Sequence, residues 1–476
     1  MKFSFINAGL NEGPLRNETA RGVASFPPLG ILYLAAFLRE DGVELSVLDQ
    51  SSKNFTTEEV VKWISKEDPD ILGLSAISSS GRTAATISKR AKELKPNIVT
   101  VMGNMYASLN PDRVLKKYPS VDIVVRGEGE RTTADLVNKI ENNGDLREVN
   151  GITFRKDGTT ISTPDRPLID DLDSIPFPAR ELIDSEYHCT IAGANAAPRK
   201  FTSFLSSRGC VYRCRFCSCS QFAKNRWRAR SVKNTIEELG KLEGDGYRQI
   251  IFTDDSFTTN KKRVIDICQE MRRERMDLEF ICEGRVDNCS HEMFSEMAKA
   301  GCKMLYFGIE NANQRILDYY RKQTTPQQSE NAVRTARNAG IDVIVGSFIA
   351  GAPDETRDEI TNTIEFSKRI PIDIPQFNIL CTYPGMEIWN ELSASGILNE
   401  EEYWEMGVQI PTICPNSVPL PEIRRMLNEG LYDFLKRPGF LLKELAMTLK
   451  SGYRLNTILR NISRINEIRE NLHNIN

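Results

Sequence analysis

The sequence predicts an α/β chain in which two successive strand–helix units are followed by a helical end. Three observations carry this prediction. Residues 1 to about 150 alternate short apolar runs with helix-patterned stretches. From Phe201 the alternation restarts and continues through six strand–helix units. From about residue 391 only helical patterns remain. Alternation of this kind implies parallel sheets covered by helices. The expected division is residues 1–165, a linker at 166–199, a second α/β unit at 200–390 and a helical region at 391–476. A length of 476 residues suits it, at roughly 150 residues per domain.

In the first unit, Phe3–Asn7 reads as a strand. Leu29–Asp41 reads as a helix, with Leu32, Ala35, Ala36 and Leu38 at helical spacing. Further strands are expected at Glu44–Leu48, Ile71–Ser75, Ile98–Met102 and Asp122–Arg126. Helices are expected at Thr57–Ser65, Thr83–Leu94 and Thr133–Asn142. Such sheets bind ligands beyond the carboxyl ends of their strands. The loops at those ends are 8–30, 75–81, 103–110 and 127–130. Ile152–Phe154 and Thr160–Ser162 read as a hairpin around Asp157-Gly158. The acidic, proline-containing stretch Asp170–Pro178 reads as a linker.

In the second unit the strands are Phe201–Ser206, Gln249–Thr253, Glu279–Glu283, Lys303–Phe307, Asp342–Phe348 and Gln376–Leu380. Helical patterns at Thr235–Glu243, Lys262–Glu274, His291–Ala300, Gln328–Ala339 and Arg357–Ser367 lie between them. Six such units suit an open, partial (β/α)6 barrel of the TIM type, whose chemistry sits at the carboxyl ends of the strands. In the last stretch, Lys436–Asn476, eight Lys or Arg face three Glu. Leu455, Ile458, Leu459, Ile462 and Ile465 form an apolar stripe at helical spacing there. The expectation is a helix packed on the barrel, with a membrane-surface or anionic-partner helix as the alternative.

Apolar content of 40% and charged content of 27% describe an ordinary globular chain. A net charge of −3 gives no nucleic-acid signal. No run of about 18 apolar residues occurs, so no transmembrane helix is expected. The opening Met-Lys-Phe-Ser-Phe-Ile-Asn carries no secretory pattern. Eleven cysteines without an even framework fit a reducing cytoplasm. With only His188, His291 and His473, chemistry built on histidine clusters is nearly excluded.

Cys210, Cys214 and Cys217 stand in the run Gly-Cys-Val-Tyr-Arg-Cys-Arg-Phe-Cys, directly after the first barrel strand. One short loop with three thiolates can wrap a four-iron cluster and leave one iron without a protein ligand. That iron can hold a small molecule and pass it an electron. Zinc, with Cys219 as fourth ligand, is the alternative; structural zinc sites use paired knuckles, and no second knuckle exists here. The other cysteines, at 189, 268, 282, 289, 302, 381 and 414, are scattered and read as core packing.

This C-x3-C-x2-C spacing, with Arg208-Gly209 before it and Phe216 before the third cysteine, resembles that of the radical S-adenosylmethionine (SAM) enzymes. In that superfamily SAM chelates the open iron of a 4Fe-4S cluster. Three further runs at strand ends resemble its SAM-holding motifs: Thr253-Asp254-Asp255-Ser256-Phe257, Gly308-Ile309-Glu310, and Gly346 through Gly351 to Pro353 with Glu355. The resemblance implies that Phe216, Asp254 or Asp255, Arg285, Glu310, Gly346 and Gly351 contact SAM. Carboxylates suit an ammonium or ribose hydroxyls, and an arginine fork suits a carboxylate.

The N-terminal unit resembles the Rossmann-like cobalamin-binding domain fused to one subgroup of that superfamily. The carrying residues are Pro27-Pro28-Leu29-Gly30-Ile31-Leu32-Tyr33-Leu34-Ala35, Asp70 to Ser75, Val101-Met102-Gly103 and Arg126-Gly127-Glu128-Gly129-Glu130, with Asp171 to Pro178 as a matching linker. It implies cobalamin contacts from Pro28, Leu29, Gly30, Ser75, Gly103, Asn104, Met105, Tyr106, Gly127 and Glu128. One departure matters. Residues 1–187 contain no histidine, and the loop that often carries Gly-Gly-x-His reads Gly103-Asn104-Met105-Tyr106. Cobalt would therefore bind without a histidine ligand, or the domain has lost cobalamin. The methylthiotransferases are set apart, because their N-terminal domain brings three cysteines and none precedes Cys189 here.

The resemblance implies a cobalamin-dependent radical SAM methyltransferase with three cofactors: a 4Fe-4S cluster, SAM and cobalamin. A 5′-deoxyadenosyl radical would remove hydrogen from an unactivated carbon, or less favourably a phosphinate phosphorus, which then takes the methyl group from methylcobalamin. A low-potential donor such as ferredoxin or flavodoxin is implied as partner. Tyr106, Tyr306 and Tyr383 are candidates for the gap between the two units, with packing as the alternative for each. Two other readings stay open: a non-methylating reaction like that of the anaerobic magnesium-protoporphyrin ester cyclase, and a redox or cobalamin sensor. Peptides or proteins, lipids, tetrapyrroles and natural products all stay open as substrates.

Overall fold

The computed structural model describes residues 1–9, 25–191, 194–401 and 416–461. Cys414, Ile462, Ile465, His473 and most of the 8–30 loop lie outside the described residues.

The first sheet contains β1 (Lys2–Asn7), β2 (Glu44–Asp49), β3 (Ile71–Ser75), β4 (Val99–Gly103), β5 (Ile123–Val125), β6 (Ile152–Lys156) and β7 (Thr159–Ser162), in the spatial order β2-β1-β3-β4-β5-β6-β7. The first five strands are parallel, with Phe3 opposite both Leu45 and Ile71. The expected hairpin forms, with positive φ at Asp157 and Gly158, and β6 pairs antiparallel to β5. The hairpin therefore extends this sheet rather than starting a new region. Local chemistry fixes the helix starts. Thr56 and Glu59 form a reciprocal capping box at Thr57–Glu67, as Thr356 and Glu359 do at Arg357–Arg369.

The second sheet contains β8 (Phe201–Phe204), β9 (Gln249–Phe252), β10 (Glu279–Arg285), β11 (Cys302–Glu310), β12 (Val343–Ala350) and β13 (Ile374–Ile379), all parallel and in sequence order. Strand parity sets the two faces. Ile344 and Phe348 pack outward with Ala332, Val333 and Phe366 of the helical layer. Ile281, Met304, Val343 and Val345 pack inward, where Cys189, Ala196 and Tyr453 plug the amino-terminal end of the lumen. Tyr453 donates its hydroxyl to the Ala196 carbonyl at 2.7 Å.

The C-terminal stripe requires a correction. In the helix over 452–461 it is Tyr453, Arg454 and Asn461 that are buried, while Leu455, Ile458 and Leu459 are exposed. Arg454 pairs with Asp342 at 2.8 Å and Asp373 at 3.3 Å, the residues just before β12 and β13. These ion pairs hold the helix and leave its aliphatic face unused. Among the described residues, no helix is long and apolar enough to cross a membrane.

Candidate active site

The three cysteines lie on the loop after β8, form no disulfide and are half-buried. Among the described residues, no group of three or more Cys, His, Asp or Glu is placed to hold a single metal ion. Gly209 makes the first turn of the cysteine loop possible. Its φ is +86°, and a Cβ there would lie 2.1 Å from the Arg226 carbonyl oxygen.

Two adjacent aspartates brace this turn in different ways. Asp255 faces the space above the barrel and accepts the Gly209 N–H at 2.8 Å. Asp254 is fully buried behind the strand and accepts from the Ser206 N–H at 2.8 Å, the Ser206 hydroxyl at 2.6 Å and the Ser207 hydroxyl. Asp254 therefore positions the loop, and only Asp255 is presented to a ligand.

Arg285 also differs from expectation. Its fork is closed on Asp287, at 2.9 Å for both bonds, and it donates to the Lys322 carbonyl at 2.7 Å. Its remaining edge points at the Cys214 sulfur, 3.7 Å away, and its guanidinium stacks 3.4 Å from the Tyr212 ring centre. In this arrangement it braces the cysteine loop rather than forking a carboxylate. Phe216 packs edge-on against Tyr320 at 5.1 Å. Gly346 is turned to the helical layer, where a Cβ would meet Ile309 at 3.0 Å and Ile372 at 3.2 Å. Packing, not approach to an adenine, requires that glycine. Gly351 has φ +90° and its N–H donates to Glu355 at 2.6 Å, closing the turn after β12.

Glu310 does face the lumen, ion-paired with Lys322 at 2.6 Å. Two strand positions below Arg285 stands Glu283, which the motif reading missed. No other side chain bonds to it among the described contacts. Its strand parity with Ile281, which packs in the lumen, was the available signal. Tyr306 shares this level and donates its hydroxyl to Gln376, while Asn378 donates to Ser347 at 3.1 Å. The lumen thus has a polar floor above an apolar plug.

Glu283 stands in open space but is walled by protein, and its pKa is pushed up to about 6, by burial first and then by the charges of Asp255 and Glu310. The folded value lies above the ordinary 4.5, so its relative stabilisation is full below about 4.5 and is lost as pH rises through about 6. Glu283→Gln should therefore raise Tm at pH 8 and leave it unchanged near pH 4. Melting curves at the two pH values check this, and an equal shift at both would contradict it.

A cavity of about 370 Å³ joins the two units. From the first sheet it is lined by Gly30, Ser75, Gly103, Asn104, Met105, Gly127 and Glu128, and also by Tyr33 and Leu34. From the barrel side come Gly209, Cys219, Phe222, Thr253 and Asp255. Asn104, at φ +76°, donates to Ser75 at 3.0 Å, and the Met105 sulfur lies 3.5 Å from the Ser218 hydroxyl. The segment after β4, expected as a loop, is the short helix Asn104–Leu109, and it touches the residue next to Cys217. Three expected contacts are corrected. Tyr106 is buried beneath Gly81 with its hydroxyl 3.3 Å from that of Tyr118. Pro28 instead starts the helix Leu29–Glu40, its carbonyl accepting from Leu32. Leu29 packs on Ile169 and Leu172.

Sequence separation hid the clamp between the units. Arg208 pairs with Glu128 at 3.2 Å and Glu130 at 2.7 Å, and Arg228 pairs with Glu128 at 2.9 Å. Burial opposes ionisation of Glu128, yet Arg228, Arg208 and the Ile169 N–H together hold its carboxyl below the usual range. The Gly127-Glu128-Gly129-Glu130 run thereby ties the cavity's roof to the cysteine loop.

The residues fit the implied groups. Among the described residues no lining residue is a histidine, and no atom lies within 4 Å of an added Cβ at Gly30, Gly103 or Gly127. A flat macrocycle can approach backbone at those points.

Comparison with known proteins shows the family and the fold. The family model described as the radical SAM superfamily matches residues 204–367, and that described as a B12 binding domain matches residues 20–137. An uncharacterised methyltransferase of Pyrococcus horikoshii is 37% identical over 421 residues, covering 88% of this chain and 90% of its own length. The anaerobic magnesium-protoporphyrin IX monomethyl ester cyclase of Rubrivivax gelatinosus is 28% identical, covering 95% of this chain and 83% of its own length. Among solved structures, the radical SAM methyltransferase TsrM of Kitasatospora setae, with cobalamin and a 4Fe-4S cluster bound, has a TM-score of 0.68. It is 17% identical and covers 83% of this chain and 75% of its own, a likeness of fold.

Proposed function

This chain belongs to the cobalamin-binding, methyltransferase-like radical SAM enzymes, and we propose that it methylates a carbon centre that lacks ordinary nucleophilic reactivity. Its cofactors are a 4Fe-4S cluster, SAM and cobalamin. When bound, the cluster and SAM supply a hydrogen-abstracting 5′-deoxyadenosyl radical, and cobalamin supplies the methyl group.

The residues of this chain then have distinct tasks. Cys210, Cys214 and Cys217 hold three irons of the cluster. Asp254, Arg285 and Gly209 fix the loop that carries them. Asp255 and Glu310 face the lumen and receive the polar parts of SAM. Gly30, Ser75, Gly103, Asn104 and Gly127 line the chamber for cobalamin. The floor of Glu283, Tyr306, Gln376 and Asn378 orients the substrate through hydrogen bonds. Tyr33, Leu34 and Phe222 keep the shared space apolar and exclude water. On this reading 1–165 is the cobalamin domain, 166–199 the connecting strap, 200–390 the radical core and 391–476 the helical end.

The observation that carries the proposal is the cavity shared by Gly103, Asn104 and Met105 after β4 and by Gly209 and Cys219, which flank the three cysteines. A methyl store and a radical source are useful together only if one substrate can reach both. The test is anaerobic turnover with reduced, reconstituted protein. One S-adenosylhomocysteine and one 5′-deoxyadenosine should form per methylated product. A product without added methyl, formed without S-adenosylhomocysteine, would move the enzyme to the cyclase-type reaction and leave its fold and cofactors in place.

A further inference from the structure

The last two described helices turn aliphatic side chains outward. The helix Pro438–Thr448 buries none of its residues. Leu441, Leu442 and Leu445 on it, and Leu449 just after it, lie on one side by helical spacing. All four are exposed, Leu442 by 70% and Leu449 by 81%. Leu455, Ile458 and Leu459 repeat the pattern on the helix over 452–461. A helical stripe normally faces the core, and contiguous exposed apolar surface marks an interaction site.

Charge identifies the partner. Residues 436–461 carry six Lys or Arg against one Glu, in a chain of net charge −3. That glutamate, Glu444, is ion-paired with Arg454, and Lys443 is bound to Asp373 of the barrel at 3.0 Å. Lys436, Lys450 and Arg460 are exposed among the leucines. A two-fold contact between copies would gather these cations on both sides of one interface, where like charges repel. The centres of protein interfaces favour aromatic residues, Met and Arg, whereas this face is leucine and isoleucine. An aliphatic face ringed by cations matches a negatively charged bilayer surface.

We propose that residues 436–461 dock this enzyme on anionic membranes, with the leucines entering the acyl boundary and Lys436, Lys450 and Arg460 meeting lipid headgroups. Tyr453 and Arg454 fix these helices to the amino-terminal end of the barrel. Docking there leaves the carboxyl end, with its cavity, uncovered.

Co-sedimentation of the full-length protein with vesicles tests this. The protein should bind vesicles of equal parts phosphatidylglycerol and phosphatidylcholine, release at high salt, and ignore pure phosphatidylcholine. The variant K436Q/K450Q/R460Q should partition about a hundredfold more weakly, at ~1 kcal/mol per cation. The variant L442S/L445S/L449S should lose on the order of tenfold or more. All six side chains are exposed, so circular dichroism should match the parent, and the salt dependence of the parent protein stands apart from any variant. Absence of binding to the anionic vesicles, or equal binding to both kinds, would overturn the proposal. So would a dimer in analytical ultracentrifugation that the leucine variant converts to monomer, because a second copy would then cover the face.

Discussion

Alanine at Cys210, Cys214 or Cys217 should reduce 5′-deoxyadenosine formation to background and, in the triple variant, remove the iron–sulfur absorption. On the proposed reading each cysteine holds one iron, and the thiol nearest to them is that of Cys219, which bonds to Cys217. Cys219 provides the internal control. It lies on the short helix Cys219–Phe222, lines the shared cavity and is half-buried beside the loop. Cys219→Ala should keep the iron and the cleavage of SAM. Loss of iron in that variant alone, with cleavage retained in the triple variant, would return the loop to a structural four-cysteine site.

Gly103→Phe should separate the two halves of the chemistry. Gly103 ends β4 at φ −135°, outside the left-handed region, so a side chain is compatible with the backbone. No atom lies within 4 Å of an added Cβ, so the ring would project into the cavity rather than into the core. Overfilling a packed site costs about 1–3 kcal/mol, or roughly ten- to a hundredfold in cobalamin retention. Reductive cleavage of SAM should survive, because the cysteine loop is braced by Asp254, Asp255 and Arg285 rather than by the first sheet alone. Unchanged cobalamin retention would show that this cavity is not its chamber.

The alternation of strands and helices was legible because each strand is a short apolar run with its own turn chemistry. The cysteine loop was legible because its three thiols lie within eight residues of one another. Parity was available and unused. Ile251, Thr253 and Asp255 share one face of β9 and its extension, so Asp255 rather than Asp254 reaches the cavity. The same alternation turns Gly346 outward with Ile344 and Phe348. The clamp of Arg208 and Arg228 on Glu128 was not legible, since its partners are 80 and 100 residues apart. Nor was the closure of Arg285 on Asp287, because an arginine near a metal loop serves a ligand or the loop equally well by sequence. The C-terminal stripe was misassigned for a related reason. Ion pairs to Asp342 and Asp373, not leucines, hold that helix to the barrel.

The most direct measurement is electron paramagnetic resonance of the protein reconstituted with cobalamin and poised in the cob(II)alamin state. Among the described residues none that lines the cavity is a histidine, and residues 1–187 contain none. The account predicts stoichiometric cobalamin with its lower base displaced and no nitrogen superhyperfine splitting on cobalt. Splitting from an axial nitrogen, or failure to bind cobalamin at all, would contradict it.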